Sequence, residues 1–207
     1  QGCYSMVLRP ETSGEMSLET MISVIQQADQ LGISLVLLAG GEPMMRFSDL
    51  LSLSEKFPRI LFPFFTNGLL LKEDHIHSLQ MHRNLIPILS IEGTHPVTDS
   101  RRGQGIGQYI STLQGNLDKA NIFFGISMTV DTHNVEEITR ESFIRQQMRQ
   151  GVKVIFMVEF VPVEPDLERF ILTQEQRDWL HIITKRFQKH YSALFVSLPG
   201  DEDVFVN

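Results

Sequence analysis

The residues best suited to chemistry form a short turn that follows an apolar run. Ala39-Gly40-Gly41-Glu42-Pro43 comes directly after residues 33–38, a run typical of a buried parallel strand. Because the two glycines lack Cβ atoms, the backbone there can approach a ligand closely. Glu42 adds a carboxylate at the carboxyl end of the strand, the edge where α/β sheets place their chemistry. Pro43 fixes the direction in which the chain leaves. The turn therefore predicts a ligand site.

Two later turns share this design. Thr66-Asn67-Gly68 follows the apolar residues 60–65, and Ser90-Ile91-Glu92-Gly93 ends the apolar run that begins at Leu85. Each turn places a polar side chain and a glycine at the carboxyl end of a predicted strand. One such turn is a weak signal, because loops between strands and helices often carry glycine. Three of them in chain order are more specific, and they predict one shared site.

Cys3 is the only cysteine of the chain and lies in the segment Gln1-Gly2-Cys3-Tyr4-Ser5. A single cysteine excludes an internal disulfide, so a reducing compartment, the cytoplasm, is the expected location. Taken alone, Cys3 has two interpretations: a metal ligand whose partner ligands lie elsewhere, or a cysteine with no role.

Strand and helix patterns alternate along the chain. Strands are predicted over 33–38, 60–65, 85–91, 122–130, 152–161 and 193–198. Helices are predicted over 17–31, 47–57, 72–83, 109–120, 135–150 and 174–191, and a long loop over 94–107. This alternation implies parallel strands joined by right-handed crossovers. The predicted fold is α/β: a partial (β/α)6 TIM-like barrel, open on one side, with its first strand missing from this chain.

Composition narrows the classes of partner. The chain of 207 residues has 18 basic and 25 acidic side chains, a net charge of −7 that argues against nucleic acid. No apolar run approaches the roughly 18–20 residues that cross a bilayer.

Residues 1–198 are expected to form one core, followed by an acidic tail over 199–207. Trp179 is expected to anchor the core, and His75 and His77 to lie on a solvated surface.

Cys3-Tyr4 and the three turns together resemble the radical S-adenosylmethionine (SAM) superfamily, from Cys3 to about Pro165. Its members hold a 4Fe–4S cluster with three cysteines spaced C-x-x-x-C-x-x-C, commonly followed by an aromatic residue. Cys3-Tyr4 matches the end of that motif, so the resemblance implies that Cys3 is a cluster ligand. The other two cysteines would precede Gln1, so the sequence is expected to start inside the cluster loop and to be inactive alone.

The resemblance also implies a SAM-binding site on the three turns and the residues around them. Gly40, Gly41 and Glu42 match the turn that receives the ammonium group of SAM. Ser90 matches a serine that contacts the ribose or carboxylate. The implied cofactor-binding residues are Gly40, Gly41, Glu42, Pro43, Thr66, Asn67, Ser90, Glu92, Arg102 and Val161. No catalytic residue is identified.

Two further segments complete the implied site. Asp99-Ser100-Arg101-Arg102-Gly103 looks like the D-x-x-R-G segment of the peptide-modifying and sulfatase-maturing branch. Arg102 would reach the SAM carboxylate, and Arg101 could substitute for it. The segment that ends at Val161 matches the one that packs along the adenine. Ser127 is a weaker candidate, interpreted like Glu159 as structural.

The implied function is reductive cleavage of SAM at the cluster and hydrogen-atom abstraction from an organic substrate, a peptide or protein by analogy. An electron donor such as a flavodoxin or ferredoxin would be a partner. The acidic tail would lead to a carboxyl-terminal domain with further clusters. The alternative is a non-catalytic α/β domain that binds a small anionic metabolite through its glycine-rich turns.

Overall fold

The structure, a computed structural model, describes residues 14–199. Cys3 and the tail from residue 200 onward lie outside the described residues, so the predictions made for them stay predictions. Within residues 14–199, no helix combines the length and apolarity needed to cross a bilayer.

Helices and strands alternate through the described residues, as predicted. The strands are β1 (Phe62–Thr66), β2 (Leu85–Ile91), β3 (Gly125–Val130), β4 (Val154–Glu159) and β5 (Leu194–Leu198). The α-helices are α1 (Leu18–Gln30), α2 (Phe47–Lys56), α3 (Glu73–Met81), α4 (His95–Arg102), α5 (Ile106–Lys119), α6 (Val135–Ile138), α7 (Glu141–Arg149) and α8 (Gln174–His190). Short 3-10 helices span Pro43–Arg46 and Pro165–Phe170.

The five strands form one sheet in the order β1-β2-β3-β4-β5, and every neighbouring pair is parallel. Successive strands lie side by side because each crossover carries helices that return the chain to the same end of the sheet. The predicted fold class, a partial TIM-like barrel, is thereby confirmed. All five carboxyl ends meet at one rim, which is where the predicted turns lie.

The segment of residues 33–38 differs from its prediction as a buried strand. It runs parallel to β1, with Val36 N–H bonded to the Leu61 carbonyl at 2.9 Å, but it contributes only two isolated bridges to the ladder. Leu35 and Leu37 are 46% and 44% exposed. An apolar run is buried on both faces only where both faces are covered. Here Val36 and Leu38 pack on the helix side, whereas Leu35 and Leu37 face the other way.

Two helical regions also differ from the prediction. Residues 94–107, expected to be a loop, contain α4, which ends at Gly103 with φ 110°. The predicted helix over 135–150 is two helices, α6 and α7, because the chain is extended at Arg140. Helix α4 matters for the site because it carries two arginines in its last turn.

Trp179 does not anchor the core. Its side chain on α8 is 48% exposed, and its indole N–H donates to Thr139 Oγ1 at 3.2 Å. The buried positions of α8 are occupied by smaller apolar side chains and Phe187. Helical periodicity alone did not distinguish Trp179 from these neighbours, because it lies at the boundary between the buried and the exposed face.

The two faces of the sheet are covered differently. One face packs on the helices and forms the main core, with Phe62, Phe64 and Leu89 fully buried. The other face, the inner face of the partial barrel, carries a smaller cluster made of strand residues: Ile86, Ile88, Val154 and Phe156. This cluster gives the inner face an apolar floor beneath the polar rim.

Gly125 lies between Ile88 and Val154 in the register of the sheet, where there is no room for a side chain. A Cβ atom there would lie 2.6 Å from the Val154 carbonyl oxygen and 2.9 Å from Ile88 Cδ1. Both distances are well below van der Waals contact. One of the two atoms belongs to the backbone, which cannot move without disturbing the strand pairing. Glycine at this position therefore permits the observed pairing of β2, β3 and β4.

We expect Gly125→Ala to lower the free energy of unfolding by about 1–3 kcal/mol, because the added methyl group overpacks the inner face. Gly115→Ala on α5 is the matched control: a Cβ there meets nothing within 4 Å. Since alanine favours helix, it should raise stability by about 0.5–1 kcal/mol. Urea unfolding measures both, and equal stabilities for the two variants would contradict the strand packing described here.

Candidate functional site

The Glu42 carboxylate joins two of the predicted turns into one unit. Its Oε1 accepts hydrogen bonds from the Met44 backbone N–H at 3.0 Å and the Thr66 hydroxyl at 2.7 Å. Its Oε2 accepts from the Asn67 backbone N–H at 2.9 Å. The turn over residues 39–43 is thus fixed to the carboxyl end of β1, its neighbour across the sheet.

Gly40 is exposed, and a Cβ atom placed on it would meet nothing within 4 Å. Its φ is also outside the left-handed region that favours glycine. Neither packing nor backbone conformation therefore requires glycine at this position. The open space leaves room for a ligand to approach the backbone, and the ligand contact predicted for this turn stays a prediction. Pro43, also a predicted site residue, begins the 3-10 helix that leads away from the turn.

The Thr66-Asn67-Gly68 turn is held by its own side chains. Thr66 is 1% exposed; its hydroxyl donates to Glu42 and accepts from the Gly68 N–H at 3.0 Å. The Asn67 side-chain oxygen accepts from the Leu69 N–H at 2.9 Å. These bonds assign Thr66 to positioning, whereas the Asn67 side-chain N–H groups have no partner among the described residues.

Ser90 and Ser127 are brought together on the inner face. They are paired in the register of β2 and β3, and their hydroxyl oxygens lie 3.4 Å apart. They lie level with Phe156 of the apolar floor and one step nearer the rim than Ile88 and Val154. The sequence prediction ranked Ser127 below Ser90, yet the structure places the two side by side.

Glu92 is the most buried charged group of the rim, 2% exposed. Its Oε1 accepts from Arg102 Nε at 2.9 Å and Nη2 at 2.6 Å, and its Oε2 accepts from Arg101 Nη1 at 3.1 Å. Burial of a carboxylate is tolerated because both oxygens are paired. Two guanidinium groups against one carboxylate leave one net positive charge at this point. Arg101 and Arg102 thus share one partner, and both remain candidates to bind an anion.

Asp99 has a structural role. Its carboxylate accepts from the Gly107 N–H at 2.7 Å and the Gly105 N–H at 2.9 Å, which closes the turn between α4 and α5. These two donors hold the pKa of the Asp99 carboxyl below its ordinary value, since they stabilise the ionised form. The aspartate of the D-x-x-R-G-like segment therefore fixes the helix that carries the arginines.

Glu159 and Val161 lie near the carboxyl end of β4. Glu159 is buried and accepts from Arg177 Nε at 3.0 Å, on the helix side of the sheet. This contact agrees with the interpretation of Glu159 as a structural acid. Val161 is half-buried directly beyond the strand, and its predicted contact with adenine stays a prediction.

Beside the glutamate–arginine cluster lies a cleft of about 700 Å³. Its walls are α4, the loop after β3 and the 3-10 helix Pro165–Phe170. Arg169, Phe170 and His133 line it, and sequence reasoning did not identify any of these three. Their only signal is position, because each follows the carboxyl end of a parallel strand, on the same edge as the predicted turns.

The described residues hold no group of three or more His, Cys, Asp or Glu side chains placed to bind a metal ion. His75, expected on the surface, accepts the Lys72 N–H at 3.1 Å and packs edge-on against Phe47. The predicted cluster ligand, Cys3, lies outside residues 14–199.

Known proteins resemble this chain over most of its length. No protein-family model matches it. The sporulation killing factor maturation protein SkfB of Bacillus subtilis is 28% identical over 142 residues, which cover 66% of this chain and 34% of that protein. The Fe-coproporphyrin III synthase of Methanosarcina barkeri is 29% identical over 142 residues, 66% of this chain and 35% of that protein. The chain spans about a third of the length of these curated relatives.

Solved structures share the fold. Streptococcus suis SuiB bound to S-adenosylmethionine superposes with a TM-score of 0.69 at 16% identity, over 92% of this chain and 45% of that chain. The anSMEcpe structure with bound AdoMet and Kp18Cys peptide superposes with a TM-score of 0.69 at 15% identity, over 94% and 58%. Together with the two relatives, these matches confirm that the chain resembles the radical SAM superfamily.

We expect Asp99→Asn to lower the Tm by a few degrees at pH 7, since an amide offers only one acceptor atom to the two N–H donors. The pKa of Asp99 is lowered by folding, so its stabilisation is complete above the ordinary value of 3.8 and is lost as the pH falls below it. The difference in Tm between the variant and the wild type should therefore shrink below pH 3.8.

Thermal unfolding followed by circular dichroism from pH 7 to pH 3 measures this difference. Asp166→Asn is the control, because the exposed Asp166 carboxylate accepts no hydrogen bond from the described residues. A Tm equal to wild type at pH 7, or a gap that widens on acidification, would contradict the role given to Asp99.

Proposed function

We propose that this chain forms the core of a radical SAM enzyme that abstracts a hydrogen atom from an organic substrate. The observation that carries the proposal is the bridge from Glu42 to Thr66 and Asn67. It fixes the open Gly40-Gly41 turn to the end of β1 at the carboxyl rim of a parallel partial barrel. SAM bound at a 4Fe–4S cluster would supply the carbon-centred radical for this reaction.

The rim residues fit the groups of SAM. Gly40 and Gly41 leave their backbone accessible, so carbonyl oxygens there can accept from an ammonium group. Ser90, beside Ser127, offers a hydroxyl to a ribose or carboxylate. Arg101 and Arg102 carry one positive charge more than Glu92 neutralises, and a guanidinium matches a carboxylate with two parallel hydrogen bonds.

The apolar floor of the inner face supports the same proposal. The side chains of Ile86, Ile88, Val154 and Phe156 form a buried apolar cluster below the rim. A reactive radical requires a dry environment, because solvent and stray side chains would otherwise quench it. Cys3 remains the proposed cluster ligand of this chain.

The substrate and partners are proposed by analogy. SuiB has been solved bound to a precursor peptide, SuiA, and anSMEcpe with peptides. SkfB is a maturation protein. We infer that a peptide or protein is the substrate here, that a flavodoxin or ferredoxin donates the electron, and that the protein works in the cytoplasm.

We expect Gly40→Leu to weaken SAM binding by at least about tenfold, because the side chain would occupy the space through which the ligand approaches the backbone. The fold should tolerate the change, since a Cβ at Gly40 meets no atom within 4 Å. Isothermal titration of SAM into the anaerobically reconstituted full-length gene product measures the affinity, and thermal unfolding checks the fold.

Gly115→Leu on α5 is the matched control, because it adds the same side chain at another open glycine away from the rim. It should bind SAM like the wild type. A Gly40→Leu variant that is folded and binds SAM with unchanged affinity would refute the site assignment.

A further inference from the structure

We propose that the cleft beside Glu92 binds a carboxylate of the substrate, and that the carboxylate is attached to an apolar or aromatic body. Arg169 is the central ligand, because Arg101 and Arg102 pair with Glu92 and are proposed to bind the SAM carboxylate. This proposal rests on the proposed function in one respect: the bound molecule would be the substrate of the reaction proposed at the same rim. It concerns the part of the cleft around Arg169, to which the proposed function assigns no group of SAM.

The charge of the cleft supports an anionic ligand. Arg101, Arg102 and Arg169 line it, and Glu92 neutralises only one of the three charges. Among the described residues, no carboxylate lies within 4.0 Å of the exposed Arg169 guanidinium. The cleft is therefore positive in a chain whose net charge is −7.

Asp131, the other acid in the cleft wall, offsets a second charge, so the lining keeps one net positive charge. Its Oδ1 accepts hydrogen bonds from the backbone N–H groups of His133 at 2.8 Å and Asn134 at 3.1 Å. The carboxylate is thus directed at its own loop, where it closes the turn after β3. Asn134 in turn donates to the Glu92 carbonyl at 2.9 Å, so the loop is fixed to the rim.

Aromatic rings contact Arg169 and Arg101 without neutralising their positive charges. The Arg169 guanidinium carbon lies 5.0 Å from the centre of the Phe170 ring, and that of Arg101 lies 5.9 Å from the centre of Phe160. The two rings meet edge-on, with centres 6.0 Å apart. Cation–π contact leaves the N–H edge of a guanidinium available, so a carboxylate can still bind to it.

The same rings indicate the chemistry of the group that carries the carboxylate. Phe160 and Phe170 line the cleft, and the exposed His133 ring lies 4.9 Å from that of Phe170. A cleft of about 700 Å³ is the size of sites that enclose a small organic molecule or a few peptide residues. Its chemistry therefore suits a ligand with an anionic end and an apolar surface.

Two kinds of substrate carry this chemistry. One is an acidic side chain beside an apolar residue in a peptide, the kind of substrate proposed above. The other is a planar ring system with carboxylate arms, as in the coproporphyrin named for the relative from Methanosarcina barkeri. The shared recognition element is the carboxylate, so the experiment uses one probe of each kind.

The peptide probe is a fluorescent hexapeptide, blocked at both ends, with one aspartate beside one phenylalanine; its matched control has asparagine in place of aspartate. The second probe is coproporphyrin III, with its tetramethyl ester as the uncharged control. Binding is measured by fluorescence anisotropy or quenching without reductant, so that no turnover occurs. SAM binding is measured separately on the same samples.

We expect at least one acidic probe to bind about tenfold or more tightly than its neutral control, since an arginine–carboxylate pair is a charge-assisted, two-point contact. Arg169→Gln should remove most of this preference, and Arg169→Lys should keep part of it. Arg149→Gln, at an exposed arginine on α7 outside the cleft, should bind like the wild type. All variants should keep the wild-type Tm and SAM affinity.

The proposal is overturned if acidic and neutral probes bind alike, if neither acidic probe binds, or if Arg169→Gln leaves the preference unchanged. A wild-type protein that prefers the acidic probes but does not bind SAM would refute the proposed function and leave the carboxylate subsite standing. The acidic probe that binds shows which of the two kinds of substrate the cleft accepts.

Discussion

Parallel pairing of the strands is the constraint on which the rest of the structure depends. Because all five strands run in one direction, their carboxyl ends form one rim, and every loop that follows a strand is delivered there. Residues far apart in sequence, such as Glu42 and Asn67 or Ser90 and Ser127, become neighbours for this reason. The helices cover one face of the sheet and leave the inner face to an apolar floor.

Charge is arranged unevenly on this scaffold. The chain is acidic overall, yet its rim collects two arginines around the buried carboxylate of Glu92. Glu92 neutralises one charge and fixes two guanidinium groups, so it prepares the rim for an anion. Asp99 contributes indirectly, because it closes the turn that ends α4. The acids at the rim thus position the cations.

Much of the fold and part of the site could be predicted from sequence, since both depend on local patterns. Apolar runs ended by glycine turns located the strands and the turns at 39–43, 66–68 and 90–93. Helix α4 could not be found this way: its sequence has no apolar periodicity, and Asp99 closes the turn that follows it. The exposure of Leu35 was missed because an apolar run does not reveal whether both of its faces are covered.

The cleft was beyond sequence reasoning for a different reason. Arg101 lies on α4, whereas Phe160 and Arg169 lie in the segment between β4 and α8, and only the three-dimensional fold brings their side chains together. Pairing of the predicted Arg102 with Glu92 also depends on how α4 packs over the end of β2. The sequence shows which residues lie at strand ends and therefore at the rim. Which of these residues contact one another across the rim depends on how the helices and loops pack.

The measurement that tests the central claim most directly is anaerobic iron and sulfide analysis with ultraviolet–visible spectra on the full-length gene product, with Cys3→Ala as the matched variant. The account predicts a coloured protein with about four irons per chain, or more if further clusters are present. The variant should lose the Cys3-dependent cluster. A colourless protein that stays free of iron after reconstitution would contradict a radical SAM enzyme and favour a non-catalytic domain that binds a small anion.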